Sequence, residues 1–320
     1  MPVTAKSSER LSRTLGDDAG FGRAQRRDAA HEHVIGGYRE SPPPADLAYA
    51  VEAQWMHETP PGPATIHRVV PDPAVSLCFT RTPDDSGHCQ SRLLLIGPVA
   101  NARMFEPDPG SHMTAVRIKL EWCRALLGVA PREHEDAEHP YAFALPSLGG
   151  PLEDRLARTR TAAEVLRLLV EFLRVRTAAV QAARRAAYMP APPLVRVGME
   201  MLRESAGRLR LGALSAPLGV TDRHLRRAIL AETGISPRRF ARVRRLHALL
   251  RDADAGKASD AAKPGWAALA ARHGYADQSH LIREMQALVG VTPAQLLAER
   301  QAEPAAPSDA GVARTVLATD

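Results

Sequence analysis

Gly219-Val220-Thr221-Asp222-Arg223-His224-Leu225 runs on to Gly234-Ile235-Ser236-Pro237, and Gly274-Tyr275-Ala276-Asp277-Gln278-Ser279-His280-Leu281 runs on to Gly290-Val291-Thr292-Pro293. From the histidine–leucine pair onward the identities recur 56 positions later: His224 in His280, Leu225 in Leu281, Arg227 in Arg283, Gly234 in Gly290 and Pro237 in Pro293. Each copy follows a short apolar stretch of helical character (211–218 and 266–271), turns at a glycine, and opens a second helix at a capping residue. That is the grammar of a helix-turn-helix unit, written twice. Two copies on one rigid body can set two helices into successive major grooves without a dimer. The pattern points to DNA.

Thr221 and Asp277 are the expected N-caps, each side chain accepting a backbone N–H two or three residues on, which fixes the phase of the helix that follows. In the first unit, Leu225 and Ile229 then face the core, and Arg223, Arg226 and Arg227 face away from it. An arginine in the major groove can donate two bonds to O6 and N7 of guanine, although phosphate contact is open to each of the three. The corresponding set in the second unit is Gln278, Ser279, Ile282 and Arg283. Glutamine can pair with adenine, and isoleucine can touch only a thymine methyl, so this helix is expected to be the weaker reader. His224 and His280 share one helix position beside a core leucine. Packing between helices is the favoured role for both, and phosphate contact the alternative. Arg238, Arg242 and Arg245 form one stripe, expected as a solvated face with phosphate contact as its alternative. Gly234 and Gly290 should end their helices left-handed, with Pro237 and Pro293 restarting the next.

Charge supports a polyanion partner. The 320 residues carry a net charge of only +6. Between Arg196 and Arg251, however, 13 arginines face four acids, Glu200, Glu204, Asp222 and Glu232. Three cysteines, Cys78, Cys89 and Cys123, with no CxxC pair imply a reducing compartment. The polar first 27 residues lack a signal core, and no run approaches the roughly 18 apolar residues of a membrane helix. The expected location is the cytoplasm, without membrane contact.

The expected architecture is α+β. Residues 1–45 read as a disordered arm ending in Ser41-Pro42-Pro43-Pro44. Residues 46–150 read as a β-rich sandwich or barrel-like domain with strands at 49–56, 66–70, 75–81, 92–96 and 113–120, then a short helix at 121–127 closed by Gly128. Apolar spacing over 151–190 predicts two helices that serve as a linker or dimerisation segment, and Pro190-Ala191-Pro192-Pro193 marks the boundary. An all-α domain at 194–300 and a disordered tail at 301–320 complete the chain.

On 214–225 with Gly234-Ile235-Ser236-Pro237, and on Leu269-Ala270, Gly274-Tyr275, Ser279-His280-Leu281, Arg283, Gly290 and Val291-Thr292-Pro293, the C-terminal domain resembles the AraC/XylS family of transcription regulators. The resemblance implies seven helices, with two helix-turn-helix units joined by a long helix at 237–252. It implies double-stranded DNA and RNA polymerase as partners, and leaves room for a homodimer. Two departures stand out. Pro217 sits where the family has a small helix former, so the first scaffold helix should bend or begin late. The connection 251–265 is longer than is usual and reads as an exposed loop. The N-terminal domain resembles a poorly characterised β-rich sensor module, on Val70-Pro71-Asp72-Pro73-Ala74-Val75, Gly97-Pro98, Val116-Arg117-Ile118-Lys119, Glu121-Trp122 and Ala125-Leu126-Leu127-Gly128.

No catalytic constellation stands out, and no cofactor or metal is called for. His57, His67, His88 and His112 lack a His-x-His on a strand, and His31-Glu32-His33 lies in the arm. Cys78, His88, Cys89 and Cys123 are too irregularly spaced for zinc, and no basic setting activates a thiolate. All three cysteines are expected to be buried and structural. Trp55, Phe79, Phe105 and Trp122 can line a small-molecule pocket with Arg117 or Lys119 facing an acidic effector, or can equally form an ordinary core. The leading reading is a one-component transcription regulator, not an enzyme. The alternatives are an enzyme fused to a DNA-targeting domain and an architectural DNA-binding protein.

Overall fold

The computed structural model describes residues 33–35, 37–62, 66–84, 86, 88–182, 190–255 and 265–302. Alternation of apolar residues builds its sheet. In β5 (Ala74–Pro83) and β8 (His112–Lys119), Leu77 lies opposite Val116 and Val75 opposite Ile118, all four fully buried on one face. The intervening pair, Cys78 opposite Ala115, points to the other face, where Met113 and Phe105 join it. β3 (Val51–Glu58) flanks β8, and β6 (Cys89–Ile96) flanks β5. With β1 (His33–Ile35), β2 (Tyr38–Ser41) and β9 (Glu138–Pro140) the strands form one sheet in the order β1-β2-β3-β8-β5-β6-β9. A separate two-stranded ribbon, β4 (His67–Val69) with β7 (Arg103–Phe105), packs over the second face through Phe105.

Helices cover the first face. α1 (Cys123–Leu127) ends at Gly128 with φ +72°, as the expected closure requires. α2 (Tyr141–Ala144), α3 (Pro146–Ala157) and α4 (Ala162–Ala182) follow. Val165, Leu168, Leu169 and Leu173 form the buried stripe of α4. Its start is a capping box: Thr161 Oγ1 accepts Glu164 N–H, and the Glu164 carboxylate accepts the N–H of Arg160 (2.6 Å) and Thr161 (3.2 Å).

The C-terminal part holds seven helices among the described residues: α5 (Pro193–Glu204), α6 (Leu211–Ser215), α7 (Asp222–Thr233), α8 (Pro237–Ala255), α9 (Trp266–Arg272), α10 (Gln278–Val289) and α11 (Pro293–Ala302). The long helix α8 is shared. Phe240 and Ala241 near its start belong to an apolar cluster with Val195, Met199, Leu225 and Ile229. Val243, Leu246 and Leu249 further on belong to a second cluster with Leu269, Leu281 and Met285. The first cluster does not stop at the domain boundary. It runs on through Leu120, Leu126 and Leu169 to the first face of the sheet.

Five expectations need correction. Part of the arm is ordered: β1 and β2 lie at 33–41, and Tyr38 pairs with His57 on β3, while 1–32 fall outside the described residues. The strand is short and mixed in polarity, so its apolar pattern is too weak to read. The proline-rich boundary is packed, with Ala191 N–H donating to Glu121 O (2.9 Å) and its side chain buried. Pro217 does not bend a helix. α6 stops at Ser215 and Pro217 occupies the turn to Gly219. Finally, 251–255 are the last turn of α8 rather than loop, and 256–264 lie outside the described residues. The tail begins later too: α11 reaches Ala302, and residues from 303 on are outside the description.

Candidate DNA interface and interdomain cavity

The two expected caps form. Thr221 Oγ1 accepts His224 N–H at 3.2 Å, and Asp277 Oδ1 accepts His280 N–H at 2.6 Å. Gly234 and Gly290 end α7 and α10 at φ +76° and +83°, where a side chain would be strained. The phase that follows buries Leu225, Ile229, Leu281 and Met285 completely and leaves Arg223, Arg226, Arg227, Gln278, Ser279 and Arg283 exposed. Ile282 is half-buried. Among the described residues, no ion pair holds Arg223, Arg226, Arg227 or Arg283.

The histidines part company despite their equivalence in the repeat. His280 Nδ1 accepts Ala276 N–H at 3.1 Å, and its ring meets the edge of Tyr275 at 5.6 Å between centroids. The residues matching Tyr275 and Ala276 in the first unit are Gly219 and Val220, so His224 has no ring to pack on and stands exposed. The arginine stripe splits as well. Arg238 is exposed, but Arg242 pairs with Glu284 of α10 at 2.7 Å. Arg245 lies over the Tyr275 ring and donates to Gly207 O (3.0 Å) and Gly274 O (3.4 Å). These two brace helices against each other and do not form the solvated face expected of them.

One loop of the β domain reaches both units. Ala100 O accepts from Arg239 of α8 at 2.6 Å, and Ala102 N–H donates to Leu288 O near the end of α10 at 3.3 Å. Arg68 on β4 adds a two-pronged bond to Glu299 of α11 (2.7 and 3.0 Å) and a third to Val289 O (3.3 Å). At the first unit, the backbone around Gly234 lies so close to Arg132 that a Cβ there would meet the Arg132 Cβ at 2.6 Å.

Between the second sheet face, the β4–β7 ribbon and the inner side of α8 lies a cavity of about 290 Å³. Trp55, Val69, Ile96, Phe105 and Met113 supply apolar wall, and Leu250 closes it from α8. The polar wall is internally bonded. Arg117 reaches Glu40 Oε2 (2.6 Å) and the Tyr38 hydroxyl (2.9 Å), and its Nε lies 2.9 Å from Asp72 Oδ2. Arg244 of α8 bonds Glu52. Burial would raise the Glu52 carboxyl, but Arg244, Arg203 and Arg117 outweigh it and hold the group at about 2. Burial and neighbouring His67 push His57 down to about 4. Burial and Arg244 push His247 down to about 3, so the ring is neutral and its Nε2 donates to Pro71 O at 2.7 Å.

The expected acidic-effector contacts are therefore already occupied. Arg117 is held by Glu40 and Asp72, and Lys119 Nζ bonds Glu200 of α5 at 3.1 Å. Of the four aromatic residues expected around a pocket, Trp55 and Phe105 line the cavity. Phe79 sits in the main core, and Trp122 packs on Tyr49 and under Arg196. Cys78 and Cys123 are buried, and burial pushes both thiols upward, but Cys89 is exposed, contrary to expectation. Among the described residues no group of three or more His, Cys, Asp or Glu side chains is placed to hold a metal.

Residues 214–299 match the model of a helix-turn-helix domain, and residues 39–140 match a domain of unknown function, DUF6597. No curated protein matches the chain. Among solved structures it is similar to ToxT from Vibrio cholerae O395, at 11% identity and a TM-score of 0.39, over 77% of this chain and 97% of that one. It is also similar to the C-terminal domain of AraT, a response regulator from Geobacillus stearothermophilus, at 22% identity, a TM-score of 0.29, and 37% and 92% coverage. A third likeness is to the AraC-like transcriptional activator CuxR, at 15% identity, a TM-score of 0.22, and 68% and 79% coverage. A duplicated helix-turn-helix with both caps formed defines a DNA-binding protein. Residues 214–299 are a helix-turn-helix domain of the AraC type, a DNA-binding module. Among the described residues no helix is long and apolar enough to cross a membrane.

Proposed function

We propose that the chain is a one-component regulator in which a small molecule in the interdomain cavity biases a two-headed DNA reader. The observation that carries this reading is that the cavity is shared: sheet residues such as Trp55 and Met113 form one wall, and Arg244, His247 and Leu250 of the joining helix form another. A ligand there touches the element that both reading units pack on.

In this reading α7 reads bases through Arg223, Arg226 and Arg227, and α10 through Gln278, Ser279, Ile282 and Arg283. Arg238 and His224, both exposed, are the best placed for phosphates. The protein acts by binding rather than catalysis, in the cytoplasm, and works on RNA polymerase, alone or as a homodimer. The functional division follows the elements: 46–150 senses, 151–190 serves as a helical linker or dimerisation segment, and 194–300 binds DNA.

Selection of bound sequences from random duplexes, followed by footprinting, tests the reader. One asymmetric site covering two major-groove segments about a helical turn apart is expected. Recovery of a single short half-site would overturn the two-headed reading.

A further inference from the structure

The charges around the cavity say what kind of ligand it takes. Its cations do not wait for an anion. Arg117 is bonded by Glu40 and Asp72, Arg244 by Glu52, Arg103 faces Glu138 at 3.5 Å, Arg68 is clasped by Glu299, and Arg300 by Asp254 at 2.7 Å. Arg251 and His67 are likewise engaged. Four of these carboxylates, Glu40, Glu52, Asp72 and Glu138, are themselves in the wall. An anionic ligand would have to strip an arginine from its carboxylate, leaving that carboxylate buried and unpaired beside it. A cationic ligand would strand an arginine in the same way.

What the wall leaves open is neutral hydrogen-bonding capacity. Ser76 lines the wall with its Oγ accepting the Trp55 indole N–H at 3.1 Å, which leaves its own O–H to donate, and the neutral His57 ring is also in the lining. A hydroxyl or primary amide both donates and accepts, so either suits neutral partners of this kind. The remaining wall, with Trp55, Phe105, Ile96 and Met113, suits an aromatic or branched apolar body.

We infer that this cavity takes an uncharged small molecule, with an apolar or aromatic body and a hydroxyl or amide end, and discriminates against carboxylates. The inference rests on the cavity being the sensor site.

Matched probes of one carbon skeleton test it on the full chain: cinnamyl alcohol, cinnamamide and cinnamate, and 1-naphthalenemethanol with 1-naphthoate. Binding is read by the melting transition and by Trp55 emission. At neutral pH the alcohols and amide should bind at least about tenfold more tightly than the acids. Trp55→Phe should abolish the emission change while the melting shift persists. Glu138→Gln removes the carboxylate facing Arg103 at the cavity edge, and Glu52→Gln does the same for Arg244 in the interior. Either substitution, in a variant that retains a cooperative melt, should narrow the preference for the neutral probe. Acids that bind the unsubstituted chain as tightly as the alcohols would overturn the charge argument and leave the sensor reading standing. A preference untouched in both variants would also overturn it. Binding by neither series would remove the sensor reading and this inference together.

Discussion

Arg203 joins the two halves of the molecule, and its removal should be felt by both. It rises from α5, its side chain is 7% exposed, and it grips Glu121 with two bonds of 2.5 and 2.6 Å. Glu121 belongs to the β domain and is itself only 2% exposed. The guanidinium also lies over the Phe240 ring, 5.4 Å from its centroid, and reaches Glu200 at 3.1 Å. Arg203→Met keeps the apolar stem but strands a buried carboxylate, a change that costs about 3–5 kcal/mol. Loss of the cation–π contact adds on the order of 1 kcal/mol. The variant should therefore lose roughly 4–6 kcal/mol. That is a large share of the roughly 5–15 kcal/mol by which domains are stable. Urea unfolding followed by far-ultraviolet circular dichroism and by tryptophan emission reads it. Because the apolar cluster is continuous from sheet to α7, both probes should report one transition, displaced together. Adding Glu121→Gln removes the stranded charge, so the double variant should recover at least half of the loss. A loss below about 1 kcal/mol, or a double variant as unstable as the single, would refute the argument that this buried pair holds the halves together.

Other expectations follow from the same contacts. If the domain neutralises about 6–10 phosphates, DNA affinity should drop by about 10³–10⁵ between 50 and 200 mM salt, and a salt-insensitive constant would speak against the arginine face. Arg227→Ala should cost about 1–3 kcal/mol on the selected site and erase preference at one or two base pairs, with Arg283→Ala doing so in the other half and Gln278→Ala having the smaller effect; equal losses on scrambled duplex would reassign these arginines to phosphates. Arg68→Ala frees α11 and the end of α10 from β4, so sites with one or two base pairs inserted between the halves should be tolerated better, and an unchanged spacing preference would show that Arg68 does not set the distance. Acid should destabilise the fold: His57 and His247 are held neutral at about 4 and 3, below their ordinary value near 6.5, so the unfolded chain takes up protons first and stability falls as pH drops from about 6.5 toward 4. A flat melting temperature from pH 7 to 4 would contradict both histidines, and Glu52, at about 2, adds a further loss as pH falls from its ordinary 4.5 toward 2.

How far the sequence could be read depended on how local the signal was. Thr221 and Asp277 each cap a helix three residues away, and the whole phase of α7 and α10 follows from them, so the reading face was legible in a dozen residues. β5 and β8 were legible because alternation is a property of one strand. The partners of the buried charges were not, since they lie far apart in the chain. Arg203 and Glu121 are separated by 82 residues and Arg117 and Glu40 by 77, and neither helical nor strand periodicity links such pairs. Arg117 could thus be read either as facing a ligand or as a plain surface charge, when β2 supplies Glu40 and Tyr38 to it. The repeat misled in a related way. Matching positions share a backbone setting, but a side chain's role depends on what the neighbouring turn offers. His280 has Tyr275 beside it and is built into the fold, while His224, with Gly219 in that place, is left to the solvent side of its helix. The same holds along α8. Arg238, Arg242 and Arg245 recur at helical spacing, yet only the first projects beyond the packed surface, because Glu284 and Tyr275 of the second unit stand beside the other two. Duplication therefore conserved the frame that aims two helices at DNA, and the divergence lies in how each copy is braced: the first against the β domain through Arg132 and Ala100, the second against α8 and the ribbon that roofs the cavity.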